Sequence, residues 1–385
     1  MPKIGRSLLL FLCLVIAITG FNYRLSLSGI KPVFAQEKFT LIALPDTQVY
    51  SQSYPEIFRA QTQWAVAQIA DLKIAYLTNL GDIVNVSSNI SQWENADEAI
   101  SLLEDSATTG LEGGLPYGIV PGNHDQPTGN FNTYFGVSRF ENRAYYGGHY
   151  GSNNDSNFTL FNAGGIGFIS INFEYYPSSE IIQWADGLVK SYPDRLAIVV
   201  SHYLLDLDAS FGAPGSAIYE ALKDDPNLFL MLCGHNHGEA RRTDTYQGNV
   251  VYSLLADYQG LSHGGNGWLR ILEFDPAANK IQVKTYSPTL GQYDTDEESQ
   301  FVLDYNFSAY LLPTATPNVE ATPTPDPGCR SDIDHSHQVG IGDLLQMLKD
   351  YLFFGGDQKA DVNNDGKVNG FDFGFVLKFW GRSCP

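Results

Sequence analysis

Basic residues are scarce in this chain. Lys and Arg number 23 against 43 Asp and Glu, so the formal net charge is −20 at pH 7. Proteins that bind duplex nucleic acid regardless of its sequence need a basic surface to neutralise phosphates. The composition therefore argues against that class of function. An acidic balance is compatible with carboxylates held in metal sites and with an acidic, solvated surface.

Long hydrophobic runs are lacking too. Residues 8–18 are apolar and follow Lys3 and Arg6, but the run is short for a transmembrane helix and typical of a signal peptide. Small-residue spacing suited to cleavage ends at Ala35. We therefore expect residues 1–35 to direct secretion, with no membrane span in the mature protein. Retention of the segment as an N-terminal anchor, which would hold the protein at the cell surface, is the alternative.

Cysteine is rare, with four residues in the chain. Cys13 lies in the expected signal peptide. Cys233 lies in an apolar run, where a buried and unreactive thiol is the usual outcome. Cys329 and Cys384 bracket residues 329–385, and in an exported chain such a pair predicts a disulfide.

Apolar residues are nearly missing from residues 313–328, where Pro and Thr alternate. Such a segment cannot pack into a core and favours extended polyproline geometry. It predicts a linker between a body, residues 36–312, and a small C-terminal module, residues 329–385.

The body alternates between apolar runs of strand length and amphipathic stretches of helix length, which predicts a mixed α/β fold of packed sheets with helices outside. The predicted strands are residues 39–44, 74–80, 117–120, 166–172, 196–200, 228–232, 250–255, 268–274 and 281–286. The predicted helices are residues 58–69, 93–103 and 216–222.

Polar residues with ligand atoms follow five of these strands in chain order. The blocks are Asp46-Thr-Gln48, Gly81-Asp82-Ile-Val-Asn85, Gly122-Asn123-His124-Asp125, His202, and Gly234-His235-Asn-His237. Residues i and i+2 of an extended segment project to the same side, so the first and last blocks can each aim two ligands at one place. Any one block alone is typical of a turn or a helix cap. Five in order predict a shared metal site.

In that order the five blocks resemble those of the calcineurin-like metallophosphoesterases. The resemblance covers residues 45–240 and implies a four-layer αββα sandwich with two divalent metal ions. It implies hydrolysis of phosphate mono- or diesters by attack of a metal-bridging hydroxide. Carried over by position, the ligands of one metal would be Asp46, Gln48, Asp82 and His237, and those of the other Asp82, Asn123, His202 and His235. His124 would protonate the leaving group or stabilise the transition state.

One ligand departs from the common pattern of that family. Gln48 stands where many members have His, so an amide oxygen replaces a nitrogen. Oxygen ligands favour Mn²⁺, Mg²⁺ or iron over Zn²⁺, which leaves the identity of the metal open among the four. Arg241 and Arg242, which follow the last block, either neutralise phosphate oxygens or lie solvated on a loop.

The C-terminal module carries a calcium-loop pattern. Asp361, Asn363, Asp365 and Asp372 occupy positions 1, 3, 5 and 12, with Gly366 at position 6. A similar pattern lies upstream and is the first predicted calcium loop in chain order, with ligands at Asp332, Asp334, Ser336 and Asp343; the pattern at 361–372 is the second. In the first loop His337 replaces the glycine, so we expect one bound Ca²⁺ with more support than two.

Duplicated loop–helix units with Asp at position 12 resemble a dockerin. That resemblance implies calcium-dependent docking to a cohesin-type protein partner. Together the observations predict a secreted, two-metal phosphoesterase tethered to a docking module. The alternative is a scaffold or adhesion protein whose body has lost catalysis and whose module is the functional part.

Overall fold

The computed structural model describes residues 36–311, 333, 336, 338–352, 376–378 and 380. By its internal contacts the chain separates into two units, Met1–Thr314 and Ala315–Pro385. The predicted signal peptide, the linker, the two bracketing cysteines and the second calcium loop all lie outside the described residues, so they stay predictions.

The first unit is built on two seven-stranded sheets. The strands are β1 (Phe39–Leu44), β2 (Ile74–Asn79), β3 (Tyr117–Gly118), β4 (Tyr146–His149), β5 (Asn157–Ala163), β6 (Ile166–Phe173), β7 (Leu196–Ser201), β8 (Leu228–Cys233), β9 (Gly238–Tyr246), β10 (Asn249–Asp257), β11 (Leu269–Asp275), β12 (Lys280–Ser287), β13 (Gln292–Asp294) and β14 (Phe301–Asp304).

Sheet 2 has a parallel centre and antiparallel edges, whereas sheet 1 has parallel strands at one end and antiparallel strands at the other. In sheet 1, of order β13-β12-β11-β1-β2-β3 with β14 beside β12, strands β1, β2 and β3 run parallel. In sheet 2, of order β4-β5-β6-β7-β8-β10-β9, strands β6, β7, β8 and β10 run parallel. Parallel strands are covered on both faces, which is why β1 and β8 are continuous apolar runs. Their carboxyl ends lie at a common edge, where polar residues can collect.

Nine α-helices accompany these strands between residues 36 and 311, and one lies in the described part of the second unit. They are α1 (Gln48–Ser53), α2 (Pro55–Ala67), α3 (Ile69–Leu72), α4 (Ile90–Ser101), α5 (Ser106–Thr109), α6 (Gly129–Tyr134), α7 (Val137–Phe140), α8 (Ser179–Ser191), α9 (Ala213–Leu222) and α10 (Ile341–Leu352). Local signals set their starts. Pro55 begins α2, where its missing N–H costs nothing, and Ser178 caps α8 by accepting a hydrogen bond from the Ile181 N–H.

Three buried clusters establish the order of the layers. The first lies between the sheets, where the rings of Phe39 and Phe168 meet edge to face with centroids 5.5 Å apart. The second packs α2 and α4 on sheet 1 around the fully buried Trp93. The third packs α8 and α9 on sheet 2 through Ile181 and Ile218. The layers run helix, sheet, sheet, helix, and the predicted mixed α/β sandwich is confirmed.

Several strand predictions were incomplete. Strands β4, β5, β9, β13 and β14 were not predicted; β9 is a half-buried edge strand with no apolar run. The predicted strand at 117–120 is confined to Tyr117–Gly118. Cys233 is buried and free, as expected.

In the second unit, α10 follows the first predicted calcium loop. Asp343 is buried in its first turn, and its Oδ2 accepts a hydrogen bond from the Gly340 N–H at 2.7 Å. The Ser336 hydroxyl donates to the carbonyl of Gln338 at 3.1 Å. The other predicted calcium ligands lie outside the described residues: Asp332, Asp334, Asp361, Asn363, Asp365 and Asp372.

None of the helices in the described part of the chain has the length and apolar character needed to cross a membrane.

Candidate metal centre

Three of the predicted metal ligands form a compact buried cluster. Asp46 follows β1, Asp82 follows β2 and His202 follows β7. One ligand atom from each lies within 4.8 Å of the others, and all three side chains are buried. Because the strands come from both sheets, the cluster lies where the carboxyl ends of the parallel strands of the two sheets meet.

Asn123 and His235 extend this cluster on one side. His202 Nε2 lies 3.1 Å from Asn123 Oδ1, 3.2 Å from His235 Nδ1 and 3.2 Å from Asp82 Oδ2. The other ring nitrogen, His202 Nδ1, lies 2.9 Å from the Leu80 carbonyl oxygen. A proton on Nδ1 donated to that carbonyl leaves Nε2 free to accept, which is the form that binds a metal. We call Asp82, Asn123, His202 and His235 the second half of the site.

Gln48 and His237 are linked to the cluster through Gln259 and Asp257. Gln48 is buried at the start of α1, and its Oε1 has no hydrogen-bond partner. The His237 side chain is 59% exposed, with Nε2 3.8 Å from Asp257 Oδ2. We call Asp46, Gln48, Asp82 and His237 the first half of the site. A buried amide oxygen without a donor costs free energy unless a cation occupies its lone pairs.

Two glycines of the sequence blocks make room for the carboxylates. A Cβ at Gly122 would collide with Asp82 Oδ1, and a Cβ at Gly234 would collide with Asp46 Oδ1. Asp82 and His235 are held at φ of 47° and 76°, a region that residues other than glycine seldom adopt. Backbone strain of this kind is concentrated at functional sites, where it positions a side chain.

The electrostatics of the cluster favour a cation. Burial raises the pKa of Asp46 well above its usual value, and the charge of Asp257 adds to the effect. Burial opposes the charged form of His202, but Asp82 and Asp46 outweigh it and raise the pKa of His202 to about 10. Burial and then the neighbouring His202 lower the pKa of His235 to about 4. Without metal the carboxylates therefore hold a proton on His202, and a divalent ion bound there would displace it; carboxylate, imidazole and amide oxygen are ligands that such ions accept.

A family model described as calcineurin-like phosphoesterase matches residues 40–239, just over half of the chain. This chain belongs to the calcineurin-like phosphoesterase family. It is 34% identical over 337 residues to the uncharacterized protein YvnB of Bacillus subtilis (strain 168). That match covers 83% of this chain and 25% of YvnB, so the chain spans about a quarter of that relative.

Solved structures with a similar fold include two phosphatases. One is a dimetal phosphatase from Danio rerio, with 14% identity and a TM-score of 0.45 over 72% of this chain and 100% of that one. The other is a purple acid phosphatase from yellow lupin (Lupinus luteus) seeds, with 13% identity and a TM-score of 0.46 over 72% of this chain and 55% of that one.

His124 of this calcineurin-like phosphoesterase lies beside the cluster. Its backbone N–H donates to Asp82 Oδ1 at 2.8 Å, and its Nδ1 lies 2.9 Å from the Asn85 carbonyl oxygen. A proton on Nδ1 donated to that carbonyl fixes the orientation of the ring and leaves Nε2 as the ring nitrogen available to another partner. Asn85, at the end of the second sequence block, therefore contributes through its backbone.

Asp125, which closes the third sequence block, supports the site although no role was predicted for it. Its buried carboxylate accepts hydrogen bonds from the N–H groups of Ile83, Val84 and Gly122 at 2.7 to 3.1 Å. Those donors flank Asp82 and Asn123, so Asp125 ties two ligand loops together. A carboxylate closing the third sequence block was the available signal.

Asp257 and Gln259 were missed entirely. Asp257 is buried at the carboxyl end of β10, and Gln259 Nε2 contacts both Asp46 and Asp257. The signal was available, because an apolar run ends in Leu-Ala-Asp257. The predicted strand at 250–255 stops short of Asp257, whereas β10 extends to Asp257, runs parallel to β8 and ends at the same edge as the other ligands.

Arg241 and Arg242 contact neither half of the site. Arg241 pairs with Glu298 at 3.4 Å, and Arg242 pairs with Asp244 at 2.6 Å. Both lie on β9, so the prediction of a solvated pair on a loop was wrong, whereas neutralisation of phosphate oxygens stays a prediction. A strand period places residues 241 and 242 on opposite faces, and each guanidinium lies over a phenylalanine ring.

Two tyrosine rings line the second half of the site. The Tyr203 ring centroid lies 4.7 Å from that of His235, and the Tyr175 centroid lies 5.6 Å from it. The Tyr203 hydroxyl donates to Asp206 Oδ1 at 2.8 Å. No sequence signal identified these rings, because each tyrosine is a single residue after a strand.

Proposed function

We propose that this member of the family is a metal-dependent phosphoester hydrolase with two divalent cations, of Mn²⁺, iron, Zn²⁺ or Mg²⁺. The observation that carries the proposal is the buried convergence of Asp46, Asp82 and His202 within 4.8 Å. The first half of the site would hold one cation and the second half the other, with Asp82 shared. When bound, the cations supply Lewis-acid activation of water and charge neutralisation at the phosphoryl oxygens.

The chain's own residues would do the rest. Asp82 keeps the two halves close because a single carboxylate serves both. His124, held by the Asn85 carbonyl, would give a proton from Nε2 to the departing oxygen or stabilise the charge that develops there. The body offers ligand atoms at each predicted position, which supports catalysis over the alternative of an inactive scaffold.

A substrate panel tests the proposal. Metal-stripped protein is reconstituted separately with Mn²⁺, Fe²⁺, Zn²⁺ and Mg²⁺ and assayed on an aryl phosphate monoester and a bis-aryl phosphate diester. We expect hydrolysis of at least one ester with at least one metal, and loss of it in His202→Ala. Absence of hydrolysis with every metal would favour the scaffold alternative.

We further propose that residues 1–35 direct secretion and that residues 329–385 form a dockerin-like module joined by the 313–328 linker. The support is sequence spacing: three carboxylates and Asn363 crowd one short loop, and only a cation relieves their repulsion. Calcium binding would then be folding energy for the module, and its partner a cohesin-type protein.

A selective calcium chelator should make the module protease-sensitive while phosphoesterase activity survives with its own metal supplied. Asp361→Ala should lower calcium affinity more than Asp332→Ala, because the first loop lacks the position-6 glycine. Unchanged calcium affinity in both variants would reject the module.

The predicted Cys329–Cys384 disulfide has a separate test. Thiol labelling of denatured, unreduced protein lacking residues 1–35 should modify Cys233 alone. Labelling of all three cysteines would refute the pairing.

A further inference from the structure

The first half of the site has a second layer made of Asp257 and Gln259. The Gln259 backbone N–H donates to Asp257 Oδ1 at 2.8 Å. Its side-chain Nε2 lies 3.0 Å from Asp46 Oδ2 and 3.2 Å from Asp257 Oδ2. The same amide contacts Gln48 through its other end, where Gln48 Nε2 donates to Gln259 Oε1.

The polarity of these contacts follows from what each group can do. With a cation bound beside them, the carboxylates of Asp46 and Asp257 are ionised and only accept hydrogen bonds, so the end of Gln259 that faces them has to be its NH₂ group. The amide oxygen of Gln259 then points the other way, toward Gln48. An oxygen there needs a donor, so Gln48 has to present its own NH₂ group. Gln48 Oε1 is thereby turned away from Gln259.

The consequence is visible at that oxygen. Gln48 Oε1 is buried and has no donor from the protein, although Gln48 Nε2 and both polar atoms of the Gln259 amide are hydrogen-bonded. A freely rotating amide would place either nitrogen or oxygen in that position. Only oxygen can ligate a cation, since an amide NH₂ has no lone pair to offer.

We propose that Asp257 and Gln259 form a relay that fixes the amide of Gln48 with its oxygen toward the first metal. Gln259 is a positioning residue that acts through Gln48 and Asp46, and Asp257 anchors it. Because the relay fixes the orientation of the amide, Gln48 can serve as a ligand where many family members have His. Without these hydrogen bonds, either the oxygen or the nitrogen of the amide could face the metal. This inference rests on the proposed metal centre.

The relay is tested by metal binding without any assay of activity. Mn²⁺ is titrated into metal-stripped protein, and both affinities are read by equilibrium dialysis with elemental analysis and by electron paramagnetic resonance. Gln259→Leu keeps the size of the side chain and removes both ends of the amide. We expect the Mn²⁺ affinity of the first half to fall ~10–100-fold, the usual effect of removing a hydrogen-bond partner of a metal ligand. The Mn²⁺ affinity of the second half should stay within ~2-fold of the wild-type value.

Asp294→Asn is the matched control. Asp294 lines the same cavity as Asp257 and His237, but its carboxylate accepts a hydrogen bond from the Asp296 N–H at 3.4 Å, so both affinities should be unchanged. A double-mutant cycle adds a readout that a purely structural role would not move. Gln259→Leu should lose most of its effect when Gln48 is already Ala, because the amide that it orients is gone.

The outcomes separate the two ideas. Wild-type protein that binds no Mn²⁺, Fe²⁺, Zn²⁺ or Mg²⁺ would overturn the metal centre and the relay together. Two bound Mn²⁺ with unchanged affinities in Gln259→Leu would overturn the relay alone. An equal loss of Mn²⁺ affinity in both halves would show that Gln259 supports the whole site and does not orient Gln48, which would also overturn the relay. Gln259→Met, unbranched and of similar length, takes the place of Leu if circular dichroism shows that Gln259→Leu is misfolded.

Discussion

The two halves of the site are held in different ways. In the second half the ligands contact one another: His202 Nε2 lies within 3.2 Å of Asp82, Asn123 and His235 atoms. In the first half, Asp46 and Gln48 are joined through Gln259, and His237 is largely exposed. The ligands of the second half are held by direct contact with one another, and Asp46 and Gln48 of the first half are held through Gln259.

The difference has a structural cause. His202 and His235 follow adjacent parallel strands of sheet 2, and Asp82 follows a parallel strand of sheet 1, so packing of the two sheets brings them together. Gln48 is displaced from its strand into α1, and His237 begins to turn into β9. Ligands that leave the strand ends need a second layer of contacts, which Asp257 at the end of β10 and Gln259, two residues further on, supply.

Asp82 belongs to both halves, so its loss should have the largest effect. Asp82→Asn weakens the shared ligand, and we expect loss of both metals and a decrease in kcat/KM of ~10⁴-fold or more. The fold should survive, because Asn tolerates the positive φ of 47° at this position. Elemental analysis and circular dichroism check both parts. Two equivalents of metal retained by the variant would contradict the shared role.

His124 lies next to both halves and is assigned to neither as a ligand. His124→Ala should therefore keep two metals and lower kcat by ~10³-fold, within the usual range for general acid–base catalysis. His149→Ala is the control, since that ring contacts Tyr146 outside the site. Loss of a metal from His124→Ala would move His124 into the ligand set.

Gln48→His sharpens the contrast between the halves. An imidazole can donate one N–H to Gln259 Oε1 and ligate with its other nitrogen, so the relay is kept while an oxygen ligand becomes a nitrogen. The ratio of Zn²⁺ to Mn²⁺ affinity in the first half should rise ~10-fold, and the ratio in the second half should stay constant. Competition titrations with the two metals measure both ratios. A change confined to the second half would reverse our assignment of Gln48.

Asp225 provides a reference outside both halves. Burial, partly opposed by Lys190, raises the pKa of Asp225 to about 6 in the folded protein. Because folding raises this pKa, ionisation of Asp225 lowers the free energy of unfolding. The loss is absent below pH 4 and develops as the pH rises through 6. Asp225→Asn should thus gain ~1 kcal/mol relative to wild type between pH 4 and 7, with no effect on either metal. Urea unfolding of metal-stripped protein at pH 4, 5, 6 and 7 follows the difference; a constant offset would exclude the pKa effect.

Most of the candidate site could be predicted from sequence because ligand-bearing residues follow apolar strands directly. Asp46, Asp82 and His202 were predicted in this way, and the structure brings them together. The strand pattern also predicted the mixed sandwich. Edge strand β9 was not predicted because half-buried polar strands have no distinct hydrophobic period. For the same reason Arg241 and Arg242, which lie on β9, were placed on a loop.

The sequence by itself determined which side chains can bind metal and the family to which the chain belongs, since ligand chemistry and strand ends are local properties. The tertiary structure alone decided that β10 runs parallel beside β8 and brings Asp257 and Gln259 to Asp46, more than 200 residues away in the chain. It also decided the direction of the Gln48 amide. Orientation of an amide depends on which donors and acceptors surround it, and only packing of the two sheets supplies that surrounding.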